Sequence, residues 1–264
     1  MGWCANQARN TTQCKRAPSE GMARPARPPY ALLRMTKVEL PLADAAHSAA
    51  TNDRILDAAE RLFAEHGVAG TSVRAITDQA QVNLAAVNYH FGTKENLVRA
   101  VIARRFAVLE AARTAALDEV EARAARQGRA PTVVELVGSL VGPVFAQALS
   151  DDAGWAHFIR FVSRLPWEPG VEALAPPENA MRLFERFDNA LQRALPALGA
   201  SPGTRLWHLA FMRGATQHAL LLITARRTGR LPKDLPFAKE AASVDVETIE
   251  RQLIAFISAG LAAP

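Results

Sequence analysis

Three short amphipathic patterns follow one another between Thr51 and His90, separated only by brief turns. Thr51 reads as an N-cap, Asp53 puts a negative charge in the first turn, and Ile55, Ala59, Leu62 and Phe63 recur on one face until Gly67 ends the pattern. A second helix is expected from Thr71 or Ser72, burying Val73 and Ile76, with Ala80 near its end. A third runs from the cap Asn83 through Leu84 to His90. Helices of this length are marginal alone in water, so the three must pack into one trihelical unit.

A fourth helix is expected after the cap Thr93, with Leu97, Val101, Phe106 and Leu109 among its apolar positions. No Gly or Pro interrupts it before Gly128, so it can reach about Arg126 and span about 50 Å. Further helical patterns cover roughly 131–150, 152–165, 177–198, 203–228 and 245–262, divided by Pro- and Gly-bearing breaks. Period-two alternation never persists, which points to an all-α fold of nine helices. Residues 1–50 differ. Pro18, Pro25, Pro28, Pro29 and Pro41 are scattered among Arg and small residues without periodicity, the composition of a disordered basic arm or of an inert extension ahead of Met22 or Met35.

Charge locates nothing by itself. Of the formal +5, residues 1–50 hold +4, from 7 Lys+Arg against 3 Asp+Glu, while residues 51–110 balance at 7 against 7. No apolar run approaches the ~20 residues that cross a bilayer, so no membrane is expected. The two cysteines, Cys4 and Cys14, both lie in the arm, which fits a reducing cytoplasm and leaves no Cys-based metal site. A Gly-rich phosphate loop, an HExxH motif and a nucleophile elbow are all missing, so no enzyme and no cofactor are expected.

The informative stretch is Thr71-Ser-Val-Arg-Ala-Ile-Thr-Asp-Gln-Ala-Gln-Val-Asn-Leu-Ala-Ala-Val-Asn-Tyr-His-Phe-Gly-Thr-Lys-Glu-Asn-Leu97. Its second helix is fixed by an Ile/Val/Ala face and its third is Ala-rich and slim. That is helix-turn-helix logic, because a thin helix can enter a major groove about 12 Å wide. With the opening Arg54-Ile-Leu-Asp-Ala-Ala-Glu-Arg-Leu-Phe-Ala-Glu-His-Gly67, the segment 51 to about 105 closely resembles the DNA-binding domain of TetR-family transcriptional repressors. The resemblance implies a helix-turn-helix domain at 51–97, a helical effector-binding and dimerisation domain at 98–264, and a double-stranded DNA operator as partner.

The resemblance also assigns roles. Thr71 and Ser72 open the second helix as a phosphate clamp, as caps, or as both, and Arg74 reaches the DNA backbone or a base edge, or remains a solvated surface residue. Asn83, Leu84, Ala85 and Ala86 form the groove-entering end of the recognition helix, flanked by Asn88 and Tyr89. Asn can pair bidentately with adenine, whereas Ala and Leu can only touch thymine methyls or admit close backbone approach. Lys94 supplies charge at the start of the fourth helix to one phosphate. Gln81 stands where many relatives have Gly, and Asn88 where an aromatic is frequent.

A two-fold operator calls for a homodimer. The stripes Leu206, Leu209, Ala210, Gly214 and 217–221, and Val246, Ile249, Leu253, Phe256, Ile257 and Gly260, are expected to build a four-helix interface. Large side chains in 131–212 are ordinary core or candidates for an effector cavity: Phe145, Trp155, Phe158 and Phe161, then Phe187, Trp207 and Phe211, and the face of His157, Arg160 and Arg164 meets a carboxylate or phosphate or is a solvated basic face paired with Glu168 or Glu172. Gly142-Pro143 should kink its helix. Trp207–Ala215 and Val82–Phe91 resemble the fatty-acid-responsive branch of the family, which implies a fatty acid or acyl-CoA among the small apolar effectors. The competing reading is a helical scaffold or partner-binding protein without sequence-specific DNA function.

Overall fold

The structure, a computed structural model, describes residues 42–168, 178–196, 202–231, 234 and 243–263. Among these residues the regular structure is helical and no strand occurs. Nine α-helices follow in chain order: α1 (Leu42–Gly70), α2 (Val73–Ala80), α3 (Leu84–Phe91), α4 (Lys94–Arg126), α5 (Val133–Leu149), α6 (Gly154–Arg164), α7 (Glu178–Ala194), α8 (Pro202–Arg227) and α9 (Val246–Ala262). Positions 1–41 of the expected arm lie outside the described residues.

Helix α1 corrects the expected start at Thr51. It begins at Leu42, so Thr51 sits inside a helix and 42–50 does not belong to an arm. Ala43, Ala45, Ala46, Ala49 and Ala50 are strong helix formers, and Pro41 precedes the first helical residue. At the other end Gly67, at φ 75° and ψ 170°, breaks the helix as expected. Two constraints demand glycine there. The dihedral is one L-residues rarely adopt, and a Cβ would stand 2.3 Å from Glu168 Oε1. Glu168 Oε2 in turn accepts from the Val68 backbone N–H at 3.0 Å, fastening the end of α1 to the segment after α6.

The caps of the long connector fall where the sequence puts them. Thr93 Oγ1 accepts from Asn96 N at 3.2 Å, and α4 then runs 33 residues to Arg126. Helix α5 opens with a reciprocal capping box between Thr132 and Glu135.

Packing does not stop at residue 97. Helix α1 packs on α2, α3 and α4, and also broadly on α6; α4 packs on α5 and α7, while α5 and α8 both pack on α9. Phe63 of α1 and Phe161 of α6 are fully buried with ring centroids 5.4 Å apart. The trihelical unit, held by Ile55, Ala59, Ile76 and Leu97, therefore shares one apolar core with the larger helical layer behind it.

Candidate nucleic-acid interface

The turn between α2 and α3 is built from local chemistry. Ser72 caps α2, its Oγ accepting from Ala75 N at 3.0 Å. Gln81 ends it in the left-handed region at φ 54°, the only non-glycine residue with positive φ among the described residues. Arg54 of α1 holds that strained turn by donating from Nη2 to the carbonyls of Ala80 and Gln81, at 2.5 and 2.7 Å. Asn83 then caps α3, Oδ1 accepting from Ala86 N at 2.8 Å.

Helix α3 is anchored by one fully inward residue, Val87, with Ala86, His90 and Phe91 half-buried beside it. Leu84, Ala85, Asn88 and Tyr89 share the opposite face and are exposed, Tyr89 to 73%. Leaving Leu84 and Tyr89 in water gains nothing for folding, so packing within the chain does not account for them on this face. Arg74 is exposed on α2, and Lys94 is half-buried at the first turn of α4. Beside Lys94, the Glu95 carboxyl lies below its ordinary range because it accepts from its own backbone N–H and from the Thr93 hydroxyl. The first turn of α4 thus holds one cation, Lys94, next to one carboxylate, Glu95.

Two expected contacts change. Thr71 is only 2% exposed, and its hydroxyl donates to the Gly67 carbonyl at 2.7 Å, tying the end of α1 to the start of α2 instead of facing a phosphate. Asn83 spends its amide oxygen on Ala86 N, so bidentate pairing with adenine would break its cap, whereas Asn88 is exposed in mid-helix. The sequence reading assigned no role to Arg54, because its two acceptors lie 26 and 27 residues away.

The expected effector residues divide. Phe145, Phe161 and Phe187 are fully buried; Trp155 and Phe158 are nearly so and stack edge to face at 5.7 Å. These five are packed core residues. Arg160 is half-buried on α6. Trp207 and Phe211 do not line the interior of the chain: each is 64% exposed, and their rings stack on each other outside. The physical reason is helical phase, since α8 buries Met212, Leu220 and Ile223 and points 207 and 211 another way. Leu206 and Leu222 of α8 and Phe256 of α9 are likewise exposed. Added Cβ atoms at Gly214 and Gly260 would meet nothing within 4 Å.

Among the described residues no cluster of His, Cys, Asp or Glu could hold a metal ion, and no described helix is long and apolar enough to cross a membrane.

Comparison with known proteins agrees with this geometry. Residues 55–101 match the family model described as bacterial regulatory proteins, tetR family, and residues 138–260 match the tetracyclin repressor-like C-terminal domain. The HTH-type transcriptional repressor Rv3405c of Mycobacterium tuberculosis is 54% identical over 48 residues, which cover 18% of this chain and 26% of that protein. The repressor AcnR of Corynebacterium glutamicum is 45% identical over 53 residues, 19% of this chain and 28% of its own length. The match to these curated relatives thus spans only about a quarter of their length. A crystal structure of a tetR family transcription regulator from Shewanella sp. PV-4 superposes with a TM-score of 0.56 at 17% identity, covering 81% of this chain and 99% of that one. That likeness is one of fold.

Proposed function

Because the chain belongs to the TetR family of bacterial regulatory proteins, which are DNA-binding transcription regulators and not enzymes, we propose that it is a repressor released from a palindromic operator by a small apolar effector. The observation that carries this reading is the outward face of α3, where Leu84, Ala85, Asn88 and Tyr89 stand exposed on a helix slim enough for the major groove. Ser72, Arg74 and Lys94 flank it as phosphate contacts, and Asn88 is the principal base reader. Direct readout is therefore sparse, and shape and backbone contacts carry much of the affinity.

One α3 reads one half-site, so the repressor acts in the cytoplasm as a homodimer. The exposed apolar face of α8 and α9, with Trp207, Phe211 and Phe256, supports this assembly: open space over Gly214 and Gly260 allows close approach of a second copy. The effector binds within 98–264 and shifts α4, which changes the spacing of the two α3 helices. A coupling of about 1–3 kcal/mol gives a 5- to 150-fold change in operator affinity. The resemblance of Trp207–Ala215 to the fatty-acid-responsive branch favours a fatty acid or acyl-CoA.

The test is to sequence genomic fragments retained by the purified protein. A shared inverted repeat, bound with affinity that falls steeply with salt, is expected. Retention without any common sequence would overturn the reading.

A further inference from the structure

The end of α6 grips the corner between α1 and α2 through a carboxylate. Glu168 lies just past the short 3₁₀ turn Leu165–Trp167 that follows α6, and it is buried. Its Oε2 accepts from the Val68 N–H at 3.0 Å and, more loosely, from the Ala69 N–H at 3.5 Å, while Oε1 pairs with Arg164 Nε at 3.3 Å. Arg164 donates in turn to the Glu65 carbonyl at 3.5 Å. Inside the corner the Thr71 N–H donates to the Val68 carbonyl and its hydroxyl to the Gly67 carbonyl, and the next residue, Ser72, caps α2. Hydrogen bonds therefore link each step from the end of α6 to the first turn of α2. Phe63 and Phe161 already hold α1 against α6, but apolar contact is non-directional, whereas two backbone donors on one oxygen fix the angle of the corner. The chain makes room for this carboxylate, since any side chain at Gly67 would collide with it.

We infer that Glu168 is a positioning residue for operator binding, setting the angle at which α2 and α3 are presented and tying that angle to α6. The other end of α6 is tied to the same helix, because Asp152 accepts from Arg105, whose guanidinium holds Glu60 of α1. Fixed at both ends, α6 and the second half of α1 move as one body. With the Glu168 tie loosened, each reading unit samples orientations of which only a fraction fit a half-site, and apparent affinity falls by that fraction. Binding to arbitrary duplex needs no fixed relation between two half-sites and is spared. This inference rests on the reading of α2 and α3 as the operator-contacting unit and names the residue that aims it.

The test compares the full chain with Glu168→Gln, which keeps the shape and loses the charge-assisted acceptor, on a selected operator and on a scrambled duplex at one salt concentration. A loss of about threefold at each of two half-sites makes the operator about tenfold weaker, while the scrambled duplex stays within about twofold. Glu168→Asp, which keeps the charge but draws it back from Val68, should lose about as much and serves if the first variant does not fold. The reverse direction is read by hydrogen exchange in α6, which packs between α1 and α8. What α6 lends to operator binding the operator must return to α6, so operator should slow exchange over 154–164 in the unmodified chain and do so far less in Glu168→Gln. Equal weakening on both duplexes, unchanged operator affinity, or an α6 that responds alike with and without the carboxylate would overturn the inference and leave the repressor standing. Retention of no duplex at all sinks the repressor, and the free protein then decides the inference. Glu168→Gln must there quicken exchange throughout α2 as well as at Val68, and an unchanged α2 would overturn it.

Discussion

Arg105 of α4 donates from Nε and Nη2 to the two carboxylate oxygens of Glu60 on α1, each at 2.8 Å. Around that bidentate pair, Arg104 adds a bond to Glu60 Oε2 at 2.9 Å and one to Asp57 at 2.7 Å, while Arg105 Nη1 also donates to Asp152 ahead of α6. The Arg105 guanidinium lies 5.0 Å from the Trp155 ring centre. Gly154 is bare because a Cβ there would sit 1.8 Å from Arg105 Nη2. The network joins the reading unit, the connector and the helical layer at one point.

Breaking it from one side is expected to be costly. Glu60 is 1% exposed, so Glu60→Gln removes the buried charge that both guanidiniums share, leaving Arg104 only Asp57 and Arg105 only Asp152, and should lower stability by about 3 kcal/mol in urea unfolding. The double variant Glu60→Met with Arg105→Met removes both charges and should recover a large part of that loss. Equal losses in the single and double variants would show that the pair does not act as a unit.

Acid should loosen the same joint. The hydrogen bond from Arg105 holds the Asp152 carboxyl below its ordinary range. A depressed carboxylate contributes stability that is complete above its unfolded pKa, about 3.9, and is lost as pH falls through the lower folded value. Thermal midpoints of wild type and Asp152→Asn should therefore differ most near neutrality and converge as pH falls through the depressed folded value.

Two asparagines in one recognition helix should behave differently. Asn83→Ala removes the α3 cap and should cost about 1 kcal/mol of stability. Asn88→Ala should leave stability within about 0.5 kcal/mol, since the residue is exposed, yet relax preference at one operator position by about 1–3 kcal/mol. Unfolding curves and competition against single-base operator variants distinguish them.

Gln81→Gly should stabilise the protein by about 1 kcal/mol, because the φ of 54° costs a side chain more than it costs glycine. The acceptor for Arg54 is the backbone carbonyl, so the turn keeps its clamp. Denaturation midpoints check the gain.

What the sequence made legible was chemistry that acts over a few residues. The caps Ser72, Asn83 and Thr93 could be read because each side chain bonds a backbone group three residues on. Thr51 has the same cap chemistry and is not one, because the residues before it are themselves helical; a cap signal is ambiguous when helix formers lie on both sides. The trihelical unit followed from period and turn length, whereas the roles given to the outer face of α3 came through the family resemblance. The burial of Thr71 did not, being set by the meeting of α1 and α2. Nor could composition show that Phe145 faces inward and Phe211 outward, since core and interface draw on the same side chains. Arg105 and its acceptors are 45 and 47 residues apart, and only the fold joins them.

The central claim is that two α3 helices enter one duplex as a symmetric pair. Native mass measurement of the complex with a selected operator tests it most directly. Two protomers on one duplex are expected, with half-sites about one helical turn or a multiple apart and affinity collapsing when either half is scrambled. A single protomer on the duplex, or binding indifferent to loss of a half-site, would contradict it.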